Sequence, residues 1–377
     1  MARKISVITL HNIKNYGSAL QTYATQFVME SLGFSAEFVD YFRKDVGDAN
    51  LLLNNALQQT TKWNRNPLMR YVFKIVKKPT FEKLVAVFDR FQKKYIHKTP
   101  SAYYSFEELC SDPPKADVYC TGSDQVWNSL WNRGIEKAYF LEYAPVGAPR
   151  ISFAASIGKN KLDDWEIDET RDMLSKYDAI SVREQRAVEI LNDIGISGAV
   201  HVLDPTLMLT KKDWLKLACS RIIAKPYLLL YQLNDNAEMD DYAEKMAKKF
   251  HLKLIRLTLG YDNFLKSGKC ICLPEVEGFL SLFIYADYVV TDSFHGTAFS
   301  LNLNKPLSVF YPDRFSSRLQ SILDLTGQLD RVVTDSKDLA LFKKPIGFDR
   351  VNEILAQERE KTQQFLQKAL FQTVPED

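Results

Sequence analysis

One feature constrains the fold of this chain before any other. Short apolar runs alternate with segments of helical spacing along nearly its whole length, and most runs end in a polar loop. Ile5–Leu10 is such a run. It leads through His11–Gly17 into Ser18–Leu32, where Leu20, Tyr23, Ala24, Phe27 and Val28 recur at helical intervals and Gly33 supplies a stop. Ala36–Tyr41 is again apolar. Strands are expected next at Asp117–Thr121, Ile151–Ala155, Ala179–Val182 and Ala199–Leu203, with helices at Leu162–Lys176 and Arg183–Asn192. After a break near residues 205–225 a second series begins. Its strands are Tyr227–Leu233, Leu252–Leu259, Tyr288–Thr291 and Leu307–Tyr311; its helices are Ala237–Phe250, Val276–Tyr285, Gly296–Leu303, Ser316–Leu325 and Val351–Phe371. Strands that alternate with helices form parallel sheets with helices over their faces. The expected class is therefore α/β, with two Rossmann-like parallel-sheet domains, residues 1–204 and 205–350, facing each other across a cleft. A helical stretch, 351–377, is placed to pack back on the first domain.

Composition removes several function classes. With 46% hydrophobic and 25% charged residues, the 377-residue chain has the make-up of a folded globular protein. A net charge of +2 gives no general attraction to nucleic acid. No apolar run approaches the ~18 residues needed to span a bilayer. Met1–Lys4 is basic, but Ile5–Leu10 is too short for the core of a secretory signal. The five cysteines are odd in number and Cys270-x-Cys272 lacks zinc spacing, so they read as reduced thiols of a cytoplasmic protein. No metal-ligand constellation, no G-x-G-x-x-G or P-loop and no G-x-S-x-G elbow is present, which argues against a metal, a nicotinamide or ATP site and a hydrolase triad. Charge is nonetheless uneven. Lys62–Lys98 holds 11 Lys or Arg against Glu82 and Asp89, interleaved with Leu68, Tyr71, Val72, Ile75, Val76, Phe81, Leu84, Val85, Phe88 and Phe91. The spacing predicts amphipathic helices inserted in the first domain. They are either solvated faces packed on the main fold, or a surface that meets anionic lipid headgroups or a polyanionic acceptor.

Ligands of open parallel sheets bind beyond the carboxyl ends of the strands, so the loops that follow strands are the places to search. In His11–Ser18, Gly17 permits a tight turn, Asn15 and Ser18 are donors, and the helical N–H groups beyond them can hold an anion; an ordinary turn looks the same. In Thr121–Asn128, Asp124 and Gln125 sit where they can meet a sugar hydroxyl or cap the next helix. Arg183, at a strand's carboxyl end, can grip phosphate or carboxylate bidentately or pair with a cleft carboxylate. In Thr291–Ala298, His295 opens a helix whose dipole favours the neutral ring, suited to acid–base work. Of five histidines, His11 and His295 are the two expected at the cleft. Asp313–Arg318 adds Arg314 and Arg318 as a second anion clamp.

Asn15-Tyr-Gly-Ser-Ala-Leu-Gln-Thr-Tyr23, Gly122-Ser-Asp-Gln-Val-Trp-Asn128, Ile180-Ser-Val-Arg-Glu184, Leu203-Asp-Pro-Thr206 and Thr291-Asp-Ser-Phe-His-Gly296, in this order, resemble the polysaccharide pyruvyl transferase family over about residues 5–325. The resemblance implies a two-domain, glycosyltransferase-B-like fold. It implies phosphoenolpyruvate as donor and co-substrate, with no cofactor or metal. The acceptor would be a sugar hydroxyl pair on a surface polysaccharide or its lipid-linked precursor, and the product a cyclic pyruvate ketal. Arg183 would then help hold phosphoenolpyruvate, and His295 is similar to the histidine of an Arg-x-His motif. Here Ser293 stands in the arginine's place, and Arg318 or Arg314 would substitute for it. His295 takes the acid/base role, Asp124 the sugar hydroxyls, and Asn15, Tyr16, Gly17, Ser18 and Gln125 an anion loop or acceptor subsite. A lipid-linked acceptor would put the protein at the cytoplasmic face of a membrane, with residues 62–98 aiding docking. A nucleotide-sugar glycosyltransferase of the same fold and a non-catalytic glycan- or metabolite-binding protein are the alternatives.

Overall fold

The computed structural model describes residues 3–61, 63–260, 265–312 and 317–372. Its first strand, β1 (Lys4–Ile8), is buried at four of five positions, as befits a strand covered on both faces. Around it β2 (Ser35–Tyr41), β3 (Lys98–Tyr103), β4 (Val118–Thr121) and β5 (Arg150–Ser152) form a parallel sheet in the order β3-β2-β1-β4-β5. Two short parallel strands, β6 (Ser181–Val182) and β7 (Val200–His201), continue it through bridges from Ile151 to Ala179 and from Ala155 to Val182. The second sheet contains β8 (Tyr227–Tyr231), β9 (Lys253–Thr258), β10 (Lys269–Cys272), β11 (Tyr288–Thr291) and β12 (Leu307–Val309). Its order is β10-β9-β8-β11-β12, again all parallel. The two sheets thus repeat one winding. Each is wound outward from its first strand, and strand order reverses between β1 and β4 in one and between β8 and β11 in the other. These are two Rossmann-like domains, and the reversal points are where such sheets take ligands.

Periodicity located most elements within a few residues. It missed the edge strands β3, partly exposed, and β10, four residues long, and the helices α2 (Ala49–Gln58), Phe106–Ser111, Ser129–Asn132, Pro205–Met208 and Lys211–Leu217. The helices expected in 62–98 are a single helix, α3 (Pro67–Tyr95), which runs through Pro79; Lys62 lies outside the described residues. Asn66 caps α3 by accepting the Met69 N–H at 2.9 Å, and Pro67 sits at the first helical position, where its missing N–H costs nothing. The second half of α3 buries Val87, Phe88 and Phe91 in the main core, whereas Leu68, Tyr71, Ile75 and Val76 in its first half face solvent.

Packing joins the two domains. Tyr16, at the start of α1 (Tyr16–Ser31), stacks on Phe279 of the second domain at 4.3 Å between ring centres and donates its hydroxyl proton to the Pro274 carbonyl at 2.7 Å. From α3, Lys83 donates to the Cys272 carbonyl at 2.8 Å, Arg90 pairs with Glu275, and Lys94 pairs with Glu277 at 3.2 Å. The last helix, Phe348–Gln372, crosses back toward the first sheet. Its Thr362 Oγ1 accepts the Leu203 N–H at 3.1 Å, and Phe371 lies 5.7 Å from the Phe34 ring. Among the described residues no helix is long and apolar enough to cross a membrane.

Candidate active site

The carboxyl ends of β1, β4, β8 and β11 converge on an interdomain cavity of about 400 Å³. The first domain lines it with Asn15, Gly17, Ser18, Asp124, Gln125 and Trp131, and the second with Tyr231, Asn234, Asp292, Ser293, His295 and Arg318. Both reversal points therefore open onto one space.

Beside the lining residue Asp124 lies Arg183, just beyond β6, with its guanidinium wholly buried. Nη1 donates to Asp204 Oδ2 at 2.8 Å, Nη2 lies 3.6 Å from Asp124 Oδ1, and the guanidinium carbon stands 4.7 Å over the Phe294 ring. Nε and Nη2 are buried with no hydrogen-bond partner among the described residues. Burial opposes the arginine's charge, but Asp204, Asp124 and Glu184 outweigh it and raise its pKa. Asp204 is held in turn by the Thr206 N–H at 2.9 Å, the Thr206 hydroxyl at 2.6 Å and Ser123 Oγ at 3.3 Å. Asp124 accepts from Ser18 Oγ at 2.7 Å and from the Gln125 N–H at 2.9 Å, on a left-handed backbone of φ 78° that non-glycine residues seldom adopt. Burial pushes both aspartates toward protonation. Arg183 and, next, His295 reverse that, so both pKa values fall below the ordinary range.

His295 comes from the opposite domain. Its Nε2 is buried without a hydrogen-bond partner among the described residues, 4.0 Å from Asp204 Oδ2, which is too long for a hydrogen bond. Burial lowers the His295 pKa to about 4; Asp204 and Asp124 resist, while Arg183 and Arg318 add to the fall. The ring is neutral at pH 7. It seats against Gly17, where a Cβ would lie 2.1 Å from Nδ1, so only glycine lets the helices of the two domains approach this closely. Arg318, in the first turn of the helix Ser317–Leu325, has a buried Nε with no hydrogen-bond partner among the described residues, and burial followed by the neighbouring Arg183 brings its pKa down to about 10.

The family model for polysaccharide pyruvyl transferases matches residues 15–314, a span that includes cavity-lining residues of both domains and ends before Arg318. The chain belongs to the polysaccharide pyruvyl transferase family. Solved structures share the fold at low identity. A UDP-N-acetylglucosamine 2-epimerase superposes with a TM-score of 0.51 at 11% identity over 98% of this chain and 96% of that one. The UDP-GlcNAc 2-epimerase of Neisseria meningitidis, bound to UDP-GlcNAc, gives 0.49 at 10% identity over 97% and 99%. An α-glucosyltransferase in complex with UDP and DNA gives 0.48 at 9% over 97% and 95%. The first likeness carries the fold, a glycosyltransferase-B-type pair of Rossmann-like domains. A search of curated sequences returns no significant match.

This pyruvyl transferase-family chain brings most of the expected residues together and sets others apart. Asn15, Gly17, Ser18, Asp124, Gln125, Ser293, His295 and Arg318 line one cavity, with Arg183 against it. Ser18 does not offer its N–H to an anion, because Asn15 Oδ1 accepts it at 2.7 Å as the cap of α1. Tyr16 is a correction, since its ring and hydroxyl serve the domain contact. So is His11, whose ring lies buried between the Thr9 carbonyl and Asp40, each at 3.2 Å. Ser293 accepts the Gly296 N–H at 3.3 Å as the cap of the helix Phe294–Asn302. Arg314 falls outside the described residues. Sequence reasoning quoted Asp204 and Glu184 inside motifs without giving them a role. Glu184 Oε1 accepts from Ser156, Ile157 and Gly158, while its Oε2 is buried and unpartnered. Tyr231 and Asn234 carried no signal beyond a strand's end.

Proposed function

We propose that this chain transfers the pyruvyl group of phosphoenolpyruvate to a pair of sugar hydroxyls, forming a cyclic ketal and releasing phosphate, with a lipid-linked precursor of a surface polysaccharide as acceptor. The observation that carries this reading is a pair of buried nitrogens on the cavity's lining, Arg318 Nε and His295 Nε2, left without partners among the described residues, with Arg183 Nε and Nη2 equally open beside the lining residue Asp124. Unpartnered buried donors are costly, and a ligand bearing a carboxylate and a phosphate satisfies them.

In this reading the donor's charge lies between Arg183 and Arg318, and Ser293 only shapes the helix terminus where the family's arginine would project. Negative charge beside an imidazole favours its protonated form, so bound phosphoenolpyruvate lifts His295 from about 4 toward neutrality. The protonated ring delivers its proton to the donor's methylene carbon, leaving an oxocarbenium-like carbon. A sugar hydroxyl attacks that carbon and gives its proton to Asp124 or to the now neutral His295. The carbon–oxygen bond to phosphate breaks, the second hydroxyl attacks the same carbon and closes the ring, and its proton goes to the departing phosphate. Asp204 steadies the imidazolium from 4.0 Å.

The test is a thermal-shift titration with phosphoenolpyruvate beside nucleoside diphosphates, since a ligand that binds only the folded state raises apparent stability with its concentration. Stabilisation by phosphoenolpyruvate that Arg318→Gln removes is the expected result. Stabilisation by a nucleoside diphosphate instead would transfer the site to nucleotide-sugar chemistry. With an acceptor in hand, His295→Ala should slow phosphate release by about 10²–10⁴-fold; turnover near wild type would remove it from proton transfer.

A further inference from the structure

A second surface is built as deliberately as the cleft. Residues 49–81 carry six Lys or Arg and no Asp or Glu, in a chain that has 47 acids among 377 residues. They form the hairpin of α2 and the first half of α3, whose inner faces close over a small core of their own, Leu53, Leu57 and Phe73 with Trp63 beside them. The outer face of α3 is apolar where water meets it: Leu68, Tyr71, Ile75 and Val76 are 56–69% exposed. Leu68, Tyr71 and Ile75, at i, i+3 and i+7, share one stripe, and Arg70, Lys74 and Lys78, at i, i+4 and i+8, run beside it. All three cations are exposed. Arg70 donates to the Asn64 carbonyl at 3.3 Å, and Lys78 lies 3.7 Å from Glu82, an exposed pair of little strength.

An apolar stripe bordered by cations and turned away from its own protein has the form of a helix that lies in a bilayer interface at headgroup depth. We infer that the α2–α3 hairpin docks on an anionic lipid bilayer. The hairpin leaves the first sheet from the carboxyl end of β2, the edge on which the cleft opens. The second half of α3 is fixed to the other domain through Lys83, Arg90 and Lys94. Docking therefore sets the cleft at one height and one tilt over the lipid. A second copy of this chain is the poorer occupant, because two faces of like charge repel. The inference rests on this surface and not on the donor proposed above.

The test is co-sedimentation of the full chain with vesicles of phosphatidylcholine alone and of phosphatidylcholine and phosphatidylglycerol in equal parts. Binding is expected to the second alone, weakening as salt rises. Replacing the three flanking cations together (Arg70→Gln, Lys74→Gln, Lys78→Gln) should lower the partition on the order of a hundredfold, about fivefold per charge. Leu68→Ser with Ile75→Ser should remove the binding that survives high salt. All five positions are on the surface, and thermal unfolding of each variant checks that it folds. Neither variant should alter the response to phosphoenolpyruvate, which separates failure here from failure of the donor assignment. Equal binding to both vesicles, or wild-type binding by the charge variant, overturns the inference. So does a dimer in light scattering that the serine variant dissolves while vesicles bind nothing, which would give the stripe to a second copy.

Discussion

The two sheets share one strand order and meet the cleft with corresponding strand ends, but they equip it differently. The first domain supplies charges already matched to one another: Arg183 is held by Asp204 and faces Asp124, and Asp124 is held by Ser18. The second domain supplies groups that wait. Its own cleft carboxylate, Asp292, is fully engaged by the Leu233 and Asn234 N–H groups and the Asn234 amide at 2.7–2.9 Å. His295 Nε2 and Arg318 Nε have no hydrogen-bond partner among the described residues. One wall is a charge-balanced frame that still leaves Arg183 Nε and Nη2 unpartnered among the described residues, and the other adds the open nitrogens of His295 and Arg318.

The sharpest way to break that comparison is to remove one arginine from each wall. Arg183→Ala leaves two buried carboxylates uncompensated and should cost about 3–5 kcal/mol in urea unfolding. Arg318→Gln removes a cation with an unpartnered buried nitrogen and should leave stability unchanged or raised. Similar losses from both would erase the distinction. Next in size is a pH effect. The folded His295 binds its proton near pH 4 and the unfolded one near 6.5, so between those values the unfolded state holds more protons. Stability then falls as the pH drops from 6.5 to 4, by about 3 kcal/mol in all. His295→Gln should flatten the curve in that window. A smaller cost, about 1–3 kcal/mol, is expected from Gly17→Ala, which forces a methyl into the His295 ring. Its turnover should fall further than its stability. Least is Ser293→Ala, about 1 kcal/mol for a lost helix cap; a larger effect on donor binding than on melting would return Ser293 to the ligand's side.

The alternation of elements was legible because buried parallel strands are apolar throughout and their crossover helices are long. β3 and β10 escaped because edge strands are covered less completely than central ones, and α2 and the other short helices because one to three turns give a period little length in which to repeat. At the site, Arg183, Asp124 and His295 were legible as reactive side chains at the carboxyl ends of strands. Which way a loop residue turns was not. His11 and Tyr16 bracket the same loop as Asn15, yet one closes on Asp40 and the other crosses to Phe279, a choice made by packing between segments far apart in sequence. Asp204 was visible as a residue and invisible as a partner, because nothing local says that it meets Arg183, twenty-one positions earlier.

The seat of His295 against Gly17 has a wider consequence. The candidate site draws on both lobes, and this contact is lost once the lobes part by the width of a water molecule. Gradual heating should therefore silence the enzyme when the seam between the lobes loosens, ahead of the melting of either one. A ligand that spans the seam acts as its mortar, so whatever tightens the grip on substrate also lengthens the working life of the protein.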